Sequence, residues 1–547
     1  MSRLIVLSNR VKMPDNNPMA GGLAVALHDM LIGNSGIWMG WNGDIVDACD
    51  DGADNEFRSN EQDAATDADV QVANKNITYM TTALTSRQYQ HFYCGFANNV
   101  LWLLLHEQAH LINQAPEDYA GYQAVNQLFA KQLKKIIQPD DVIWVHDYHF
   151  LSVAYYCRQL GLNNRIGLFL HIPFAPLTFW QKLDQSPELI KHLAHYDVFG
   201  TQTEQDKANC LAVFNHYLKD SYLNTRHLTG SMSKTGSILK TDNMLKKPSN
   251  KSSHTAQKLT KSNRSAGMQL VLNLDLDAPH RIMIDAYPIG IDVAKIQQQV
   301  INSSSYLSSQ YKRQMPEKTD IKSAVQQIIA VDRIDYSKGL LERFSAYRQF
   351  LQQYPAYQNQ LKLIQIACPS RLDLPVYQQL YDDVRQTVNE VNQQFSPIGV
   401  QSDAFKIDDV KACNLATFDS TNSWQAITYS ENVLSHGELM AAFWYSDIGW
   451  VNSLKDGMNL VAKEYIAAQN PDNPGVLLLS NYAGAAEQMQ AAVIIDPHNP
   501  KSIIEGLKTA LTMPLKERKS RYQTLLQGLW QYDLQAWQQD FLEDLYR

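Results

Sequence analysis

Leu454-Lys455-Asp456-Gly457-Met458-Asn459-Leu460-Val461-Ala462-Lys463-Glu464-Tyr465 joins a turn to the opening of a helix. Asp456-Gly457 is a turn dipeptide, and Asn459 is suited to cap an apolar run over 460–468. A helix start offers free backbone N–H groups and the positive end of the helix dipole, which suits a phosphate or diphosphate. A carboxylate beside such a seat repels an anion, so Asp456 is expected to face something neutral, such as the hydroxyls of a sugar joined to the diphosphate. Glu464, about two helical turns further on, is expected to reach ribose hydroxyls.

Composition limits the field. A chain of 547 residues is longer than one hydrophobic core usually serves, so two domains are expected. With 45% hydrophobic and 19% charged residues it has the make-up of a soluble globular protein. A net charge of -8 gives no general attraction to nucleic acid or to an anionic membrane, so neither is expected as a partner. Six cysteines without a Cys-x-x-Cys pair argue against zinc and a disulfide framework, and for a reducing, cytoplasmic compartment. The apolar start at 4–7 runs into Ser8-Asn9-Arg10, too short for a signal peptide or a membrane span.

Short apolar strands alternate with helical stretches throughout, the pattern of parallel α/β sheets. The strand at 4–7 is followed by a loop with Gly21-Gly22, where the backbone can approach a ligand, and then a helix over 23–31. An acidic stretch over 44–69 reads as a solvated loop. Helical spacing over 119–137 precedes a strand at 142–145 that ends in His146-Asp147-Tyr148-His149. A second strand at 168–170 ends in His171-Ile172-Pro173-Phe174. Polar residues at the carboxyl ends of neighbouring buried strands mark where ligands sit in open α/β sheets. A strand at 197–201 leads to a helix capped by Thr203.

The segment 219–264 is basic, rich in Ser, Thr, Asn and Lys, and too poor in apolar residues to fold alone, so mobility is expected there. Asp275-Leu276-Asp277 has the Asp-x-Asp form of metal-dependent sugar transferases, yet reads better as a surface loop before a strand at 281–286. Tyr287-Pro288-Ile289-Gly290-Ile291-Asp292 punctuates the chain as a linker, which sets the domains at 1–290 and 291–547. Beyond it, a strand at 328–331 is followed by Arg333, Asp335 and Lys338, and a strand at 361–367 by Arg371. Cations on loops at strand carboxyl ends are placed to neutralise a leaving diphosphate without a metal.

These residues carry a specific resemblance. The runs Ser8-Asn9-Arg10, Ala20-Gly21-Gly22-Leu23, Gly40-Trp41, 99–102, 144–149, 170–174, 287–292, 333–339 and 456–465 are similar to those of the retaining glycosyltransferase family of trehalose-6-phosphate synthases. The resemblance covers nearly the whole chain apart from the acidic stretch and the basic insertion. It implies the α/β fold class GT-B: two Rossmann-like domains with parallel sheets facing across a cleft, an acceptor side over 1–290, a nucleotide-sugar side over 291–547, and a last helix returning to the first domain. The implied reaction moves glucose from UDP-glucose to glucose 6-phosphate with retention, giving α,α-trehalose 6-phosphate and UDP. A homo-oligomer, dimer or tetramer, is also implied.

Carried over residue by residue, the resemblance puts Arg333 and Lys338 on the donor diphosphate and Glu464 on the ribose. Gly21, Gly22, His171, Asp456, Gly457, Met458, Asn459 and Leu460 would hold the donor glucose and phosphates. Trp41 and Asp147 would lie by the acceptor sugar, and Arg10, Tyr93, Trp102 and Arg371 would bind its phosphate. Asp147, His171, Arg333, Lys338 and Asp456 form the implied catalytic set. No cofactor and no obligatory metal are expected. The family reaction proceeds on one face of the sugar, the leaving phosphate assisting deprotonation of the acceptor; a double displacement requires a carboxylate nucleophile that the sequence does not offer. Departures from the family pattern are Leu372, Asn452-Ser453 and the basic insertion. A sister activity, glucosylglycerol-phosphate synthesis from a nucleotide-glucose and glycerol 3-phosphate, fits the same residues. A non-catalytic regulatory subunit fits less well, because the cationic and carboxylate set is intact.

Overall fold

The computed structural model describes residues 3–11, 31, 36–46, 69–74, 77–222, 267–274, 276, 278–311, 325–395 and 424–547. Gly21, Gly22, nearly all of the expected helix 23–31, most of the acidic stretch, Asp275 and Asp277 lie outside them. So does most of the basic insertion, whose first residues, Lys219–Ser221, form one 3-10 turn before Tyr222 bridges to Leu272.

Two sheets carry the fold. The first contains β1 (Leu4–Arg10), β2 (Gly36–Val46), β3 (Asp69–Asn74), β4 (Ile77–Thr85), β5 (Val142–His146), β6 (Ile166–Phe169), β7 (Val198–Thr201), β8 (Met268–Leu272) and β9 (His280–Ala286). Its order is β3-β4-β2-β1-β5-β6-β7-β9-β8, parallel except at the edge pairs β3–β4 and β8–β9. The second sheet contains β10 (Gln326–Arg333), β11 (Leu361–Cys368), β12 (Ile427–Ser430), β13 (Ile448–Val451), β14 (Val476–Ser480) and β15 (Val493–Ile495). It runs β12-β11-β10-β13-β14-β15, parallel at every pairing.

The apolar runs form strands because both faces of a parallel sheet are covered by helices. Ile5 and Leu7 of β1 enter one core while Leu4 and Val6 enter the other, and all four are at most 2% exposed. The second of these cores is continuous across both halves. It joins Val6 and Trp144 to Ile289 and Ile291 of the linker, to Met458 and Ala462 beside the quoted turn, and to Trp537 and Phe541 near the carboxyl end. The helix Leu534–Tyr546 stacks Phe541 on Trp144 with ring centroids 4.8 Å apart and returns the chain to the first sheet. Arg165 donates to the carbonyls of Asp544 and Leu545 at its end.

Each sheet reverses its strand order once next to its first strand, between β1 and β5 and between β10 and β13. Crevices at such reversals, beyond the strand carboxyl ends, are where open α/β sheets bind ligands. Arg10 ends β1, Asp147 follows β5, Arg333 ends β10 and Asp456 lies on the loop after β13.

Candidate functional site

The two reversal points open on a cleft of about 240 Å3. Arg10, Trp41, Tyr93 and Asn98 line it from the first half, Arg333, Arg371 and Asp373 from the second. Arg10 lies 5.6 Å over the Trp41 ring, which packs on Tyr89 and Tyr93 with centroids 5.6 and 5.5 Å away. Both tyrosines ride on Tyr89–Leu101, a π-helical stretch continued by the short helix Trp102–Leu105. Its wider winding is visible in the Trp102 N–H donating to the Ala97 carbonyl, five residues back, and the Asn98 side chain donates to the Tyr93 carbonyl inside it. π-Helical turns are rare and recur at functional sites. Here the winding presents Tyr89, Tyr93 and Trp102 to the cleft; Tyr89 donates across it to Asp373 over 3.0 Å.

Trp102 carries two guanidiniums of the opposite half, Arg371 at 3.9 Å and Arg333 at 5.5 Å from its ring centroid. The two differ in environment. Arg333 is exposed. The Arg371 side chain is only 8% exposed and is held by Asp335 at 3.0 Å, Tyr377 at 2.8 Å and Tyr148 of the first half at 3.3 Å. Its backbone is left-handed, at φ 54°, directly after β11. Burial by itself raises the pKa of a carboxyl, but Arg371 and Arg333 outweigh burial at Asp335 and hold it down to about 2. Arg371 is therefore a pre-paired cation and not the free one that strand-end spacing suggests.

The quoted turn behaves similarly. Asn459 caps the helix Leu460–Ala467 by accepting from the Ala462 N–H, in a left-handed conformation at φ 69° that asparagine tolerates. Asp456 does not face neutral groups alone: Lys338 Nζ is 2.5 Å from its Oδ2, and Ser453 and Asn459 donate to the same oxygen at 3.0 Å. Lys338 outweighs burial and lowers the Asp456 pKa. The repulsion expected between this carboxylate and an anion is thus cancelled within the protein. Asp456 also precedes the helix that holds Glu464, so the two carboxylates share no helical face; Glu464 lies 3.5 Å from His436. Gly457 brings the halves together, since a Cβ there would run into the His171 carbonyl.

Asp147 and His171 sit on the first-half wall. Asp147 accepts from the His171 backbone N–H at 3.3 Å and adopts φ 72°, ψ 176°, a region that residues other than glycine avoid. Burial pushes its carboxyl up to about 7 and pushes the His171 imidazole down to about 3. Met458, 3% exposed, belongs to the core beneath the turn. Among the described residues no three His, Cys, Asp or Glu side chains converge as a metal site, and no helix is long and apolar enough to cross a membrane.

The structure gathers Arg10, Trp41, Tyr93, Trp102, Arg333 and Arg371 around one cleft, with Lys338, Asp456 and Asn459 in one hydrogen-bonded turn. It adds Tyr89, Asn98, Asp335, Tyr148, Tyr377 and Asp373, which sequence reading left aside. Asp335 and Tyr148 lie inside quoted runs, so position was a signal for them. The π-helical phase that exposes Tyr89 has no sequence signature.

Two facing parallel α/β sheets with ligand-binding crevices at both reversals constitute the GT-B architecture. The glycosyltransferase family 20 model matches residues 7–417 and 408–547, and the chain belongs to this family. A trehalose-6-phosphate synthase of Sodalis glossinidius is 33% identical over 546 residues, covering 100% of this chain and 96% of the relative. An α,α-trehalose-phosphate synthase (UDP-forming) from Burkholderia xenovorans, solved in complex with glucose-6-phosphate, is 30% identical with a TM-score of 0.75, covering 99% of this chain and 100% of that one. An E. coli chain bound with UDP-2-fluoro glucose is 31% identical, also with a TM-score of 0.75, covering 100% and 99%.

Two outcomes follow from this geometry. Asp147→Gly relieves the backbone strain and is expected to raise unfolding stability by about 1 kcal/mol while abolishing most activity; a destabilised variant in denaturant titration would contradict the strain. Arg371→Ala strands Asp335 in the interior, and breaking such a pair costs about 3 to 5 kcal/mol. Because the depressed Asp335 pKa contributes stability above the unfolded carboxyl value that is lost as pH falls through about 2, the deficit of the variant should shrink on acidification from pH 7. A deficit independent of pH would show that the pair is not its source.

Proposed function

We propose that the chain transfers glucose from UDP-glucose to glucose 6-phosphate with retention of configuration, giving α,α-trehalose 6-phosphate and UDP. The observation that carries this reading is the cleft shared by both halves, where Arg10, Arg333 and Arg371 stand among the rings of Trp41, Tyr93 and Trp102. Guanidiniums suit a phosphate and aromatic faces suit a sugar ring. The ligands in the two related structures, glucose-6-phosphate and a UDP-glucose analogue, support it from outside the chain.

On this reading the exposed Arg333, with Lys338 and the N–H groups that open the helix at Leu460, takes the diphosphate. Arg10 and Arg371 take the acceptor phosphate, and Asp147 and His171 orient the sugar hydroxyls. Asp456 takes a donor hydroxyl with its remaining lone pairs while Lys338 holds its charge in check. Asp335 and Asp456 are both tied to cations, which suits a reaction on one sugar face better than a double displacement. The work of the protein is then orientation and electrostatic stabilisation of the departing UDP, without an obligatory divalent metal. We place the reaction in the cytoplasm, on the cysteine usage, and in a homo-oligomer, as the family resemblance implies.

The direct test is UDP release with glucose 6-phosphate and glycerol 3-phosphate offered separately, against UDP-, ADP- and GDP-glucose. Turnover with UDP-glucose and glucose 6-phosphate is expected, and turnover with glycerol 3-phosphate alone would transfer the chain to the sister activity. Activity should persist in excess chelator; complete loss restored by magnesium would overturn the metal-free reading. Truncating an exposed arginine that binds a phosphate removes about 1.5 to 3 kcal/mol, on the order of ten- to a hundred-fold. Arg10→Ala should raise KM for glucose 6-phosphate by that factor with UDP affinity unchanged, and Arg333→Ala should weaken UDP binding in calorimetry. Equal loss of UDP affinity in both variants would move Arg10 to the donor side.

A further inference from the structure

His146, the last residue of β5, is 0% exposed. Its Nδ1 is 3.0 Å from Nε2 of His171, and the two rings stack with centroids 5.3 Å apart. Its other nitrogen, Nε2, has no hydrogen-bond partner among the described residues. Two indoles flank it, Trp144 of the same strand at 4.7 Å and Trp537 of the returning helix at 6.5 Å between ring centroids. Their Nε1–H groups are also buried without an acceptor among the described residues.

Burial pushes both imidazoles below their ordinary value, so both are neutral at physiological pH, and the 3.0 Å contact shares a single proton. If His171 donated from Nε2, Nδ1 of His146 would be the acceptor and Nε2 of His146 would bear the proton. That arrangement adds an unpaired N–H to a pocket that already holds two. If His146 donates from Nδ1, its Nε2 is a bare lone pair in a pocket with two indole N–H dipoles. Orphaned buried donors are rare and cost about 1 to 3 kcal/mol, so the second arrangement is the stable one.

We infer that His146 is a positioning residue: by donating Nδ1–H to Nε2 of His171 it holds His171 as the tautomer protonated on Nδ1, which then presents a hydrogen-bond donor to a hydroxyl oxygen of the donor sugar. The part played by the sugar rests on the function proposed above; the tautomer does not. The hydrogen bond made by one imidazole nitrogen decides which state the other adopts. Consecutive residues at the end of β5 thus grip His171 twice, His146 through the ring and Asp147 through the backbone N–H. The returning helix contributes Trp537, which helps to close the pocket around the pair.

The test uses the full-length protein labelled with 15N in its histidine rings, with the His171 signals assigned through His171→Gln. A protonated Nδ1 and a bare Nε2 on His171 are expected, and the opposite pattern overturns the inference whatever the activity. In kinetics, His146→Phe removes the donor and should lower kcat at least about ten-fold with both KM values little changed. His146→Asn, whose Nδ2–H stands in for Nδ1–H, should recover most of that loss. Equal kcat losses in both variants, in step with lowered melting temperatures, would reduce His146 to packing and overturn the positioning role. A wild-type protein showing the expected tautomer but no glucosyl transfer would sink the functional reading and leave the pairing intact.

Discussion

The ion pair between Arg371 and Asp335 is the contact on which the cleft depends. A guanidinium that is 8% exposed is tolerable only with its charge matched, and Asp335 supplies the match from the loop after the neighbouring strand. The paired guanidinium is then laid on Trp102 and Tyr148, which belong to the other half. One interaction therefore compensates a buried charge and sets the distance between the two walls. The pair Lys338–Asp456 compensates a second buried charge within the second half, and Gly457 lets the turn that carries Asp456 approach His171 of the first half.

This arrangement explains why so many charges sit in so small a space without repelling one another. Asp335 and Asp456 are held by cations, Arg333 stays exposed, and His146 and His171 are kept neutral by burial. On the function proposed above, an incoming phosphate meets positive field that is already oriented, the condition under which electrostatic stabilisation is strongest. The strain at Asp147 fits the same picture, since a carboxylate is held where backbone preference alone would not place it.

Local chemistry made much of this legible in the sequence. Uninterrupted apolar runs such as 4–7 and 142–145 mark strands buried on both faces, and Asn459 before an apolar run marks a helix start; both are found where the pattern puts them. What escaped was long-range. Lys338 and Asp456 are 118 residues apart, so a carboxylate beside an anion seat seemed to need a neutral ligand when it had a lysine. Arg371 looked like a second Arg333 because both follow neighbouring strands, and only packing shows that one is buried and paired while the other is exposed. The π-helical winding after Gln88 and the tautomer of a buried histidine pair have no periodicity from which to read them.

On the function proposed above, both halves complete one phosphate-sugar site around a pre-paired Arg371. A crystal structure of this protein with UDP and glucose 6-phosphate tests it most directly. The acceptor phosphate is expected within hydrogen-bond distance of Arg10 and Arg371, the diphosphate on Arg333 and Lys338, and the Arg371–Asp335 pair retained. A sugar phosphate bound elsewhere, with Arg371 engaged only by Asp335, Tyr377 and Tyr148, would contradict it.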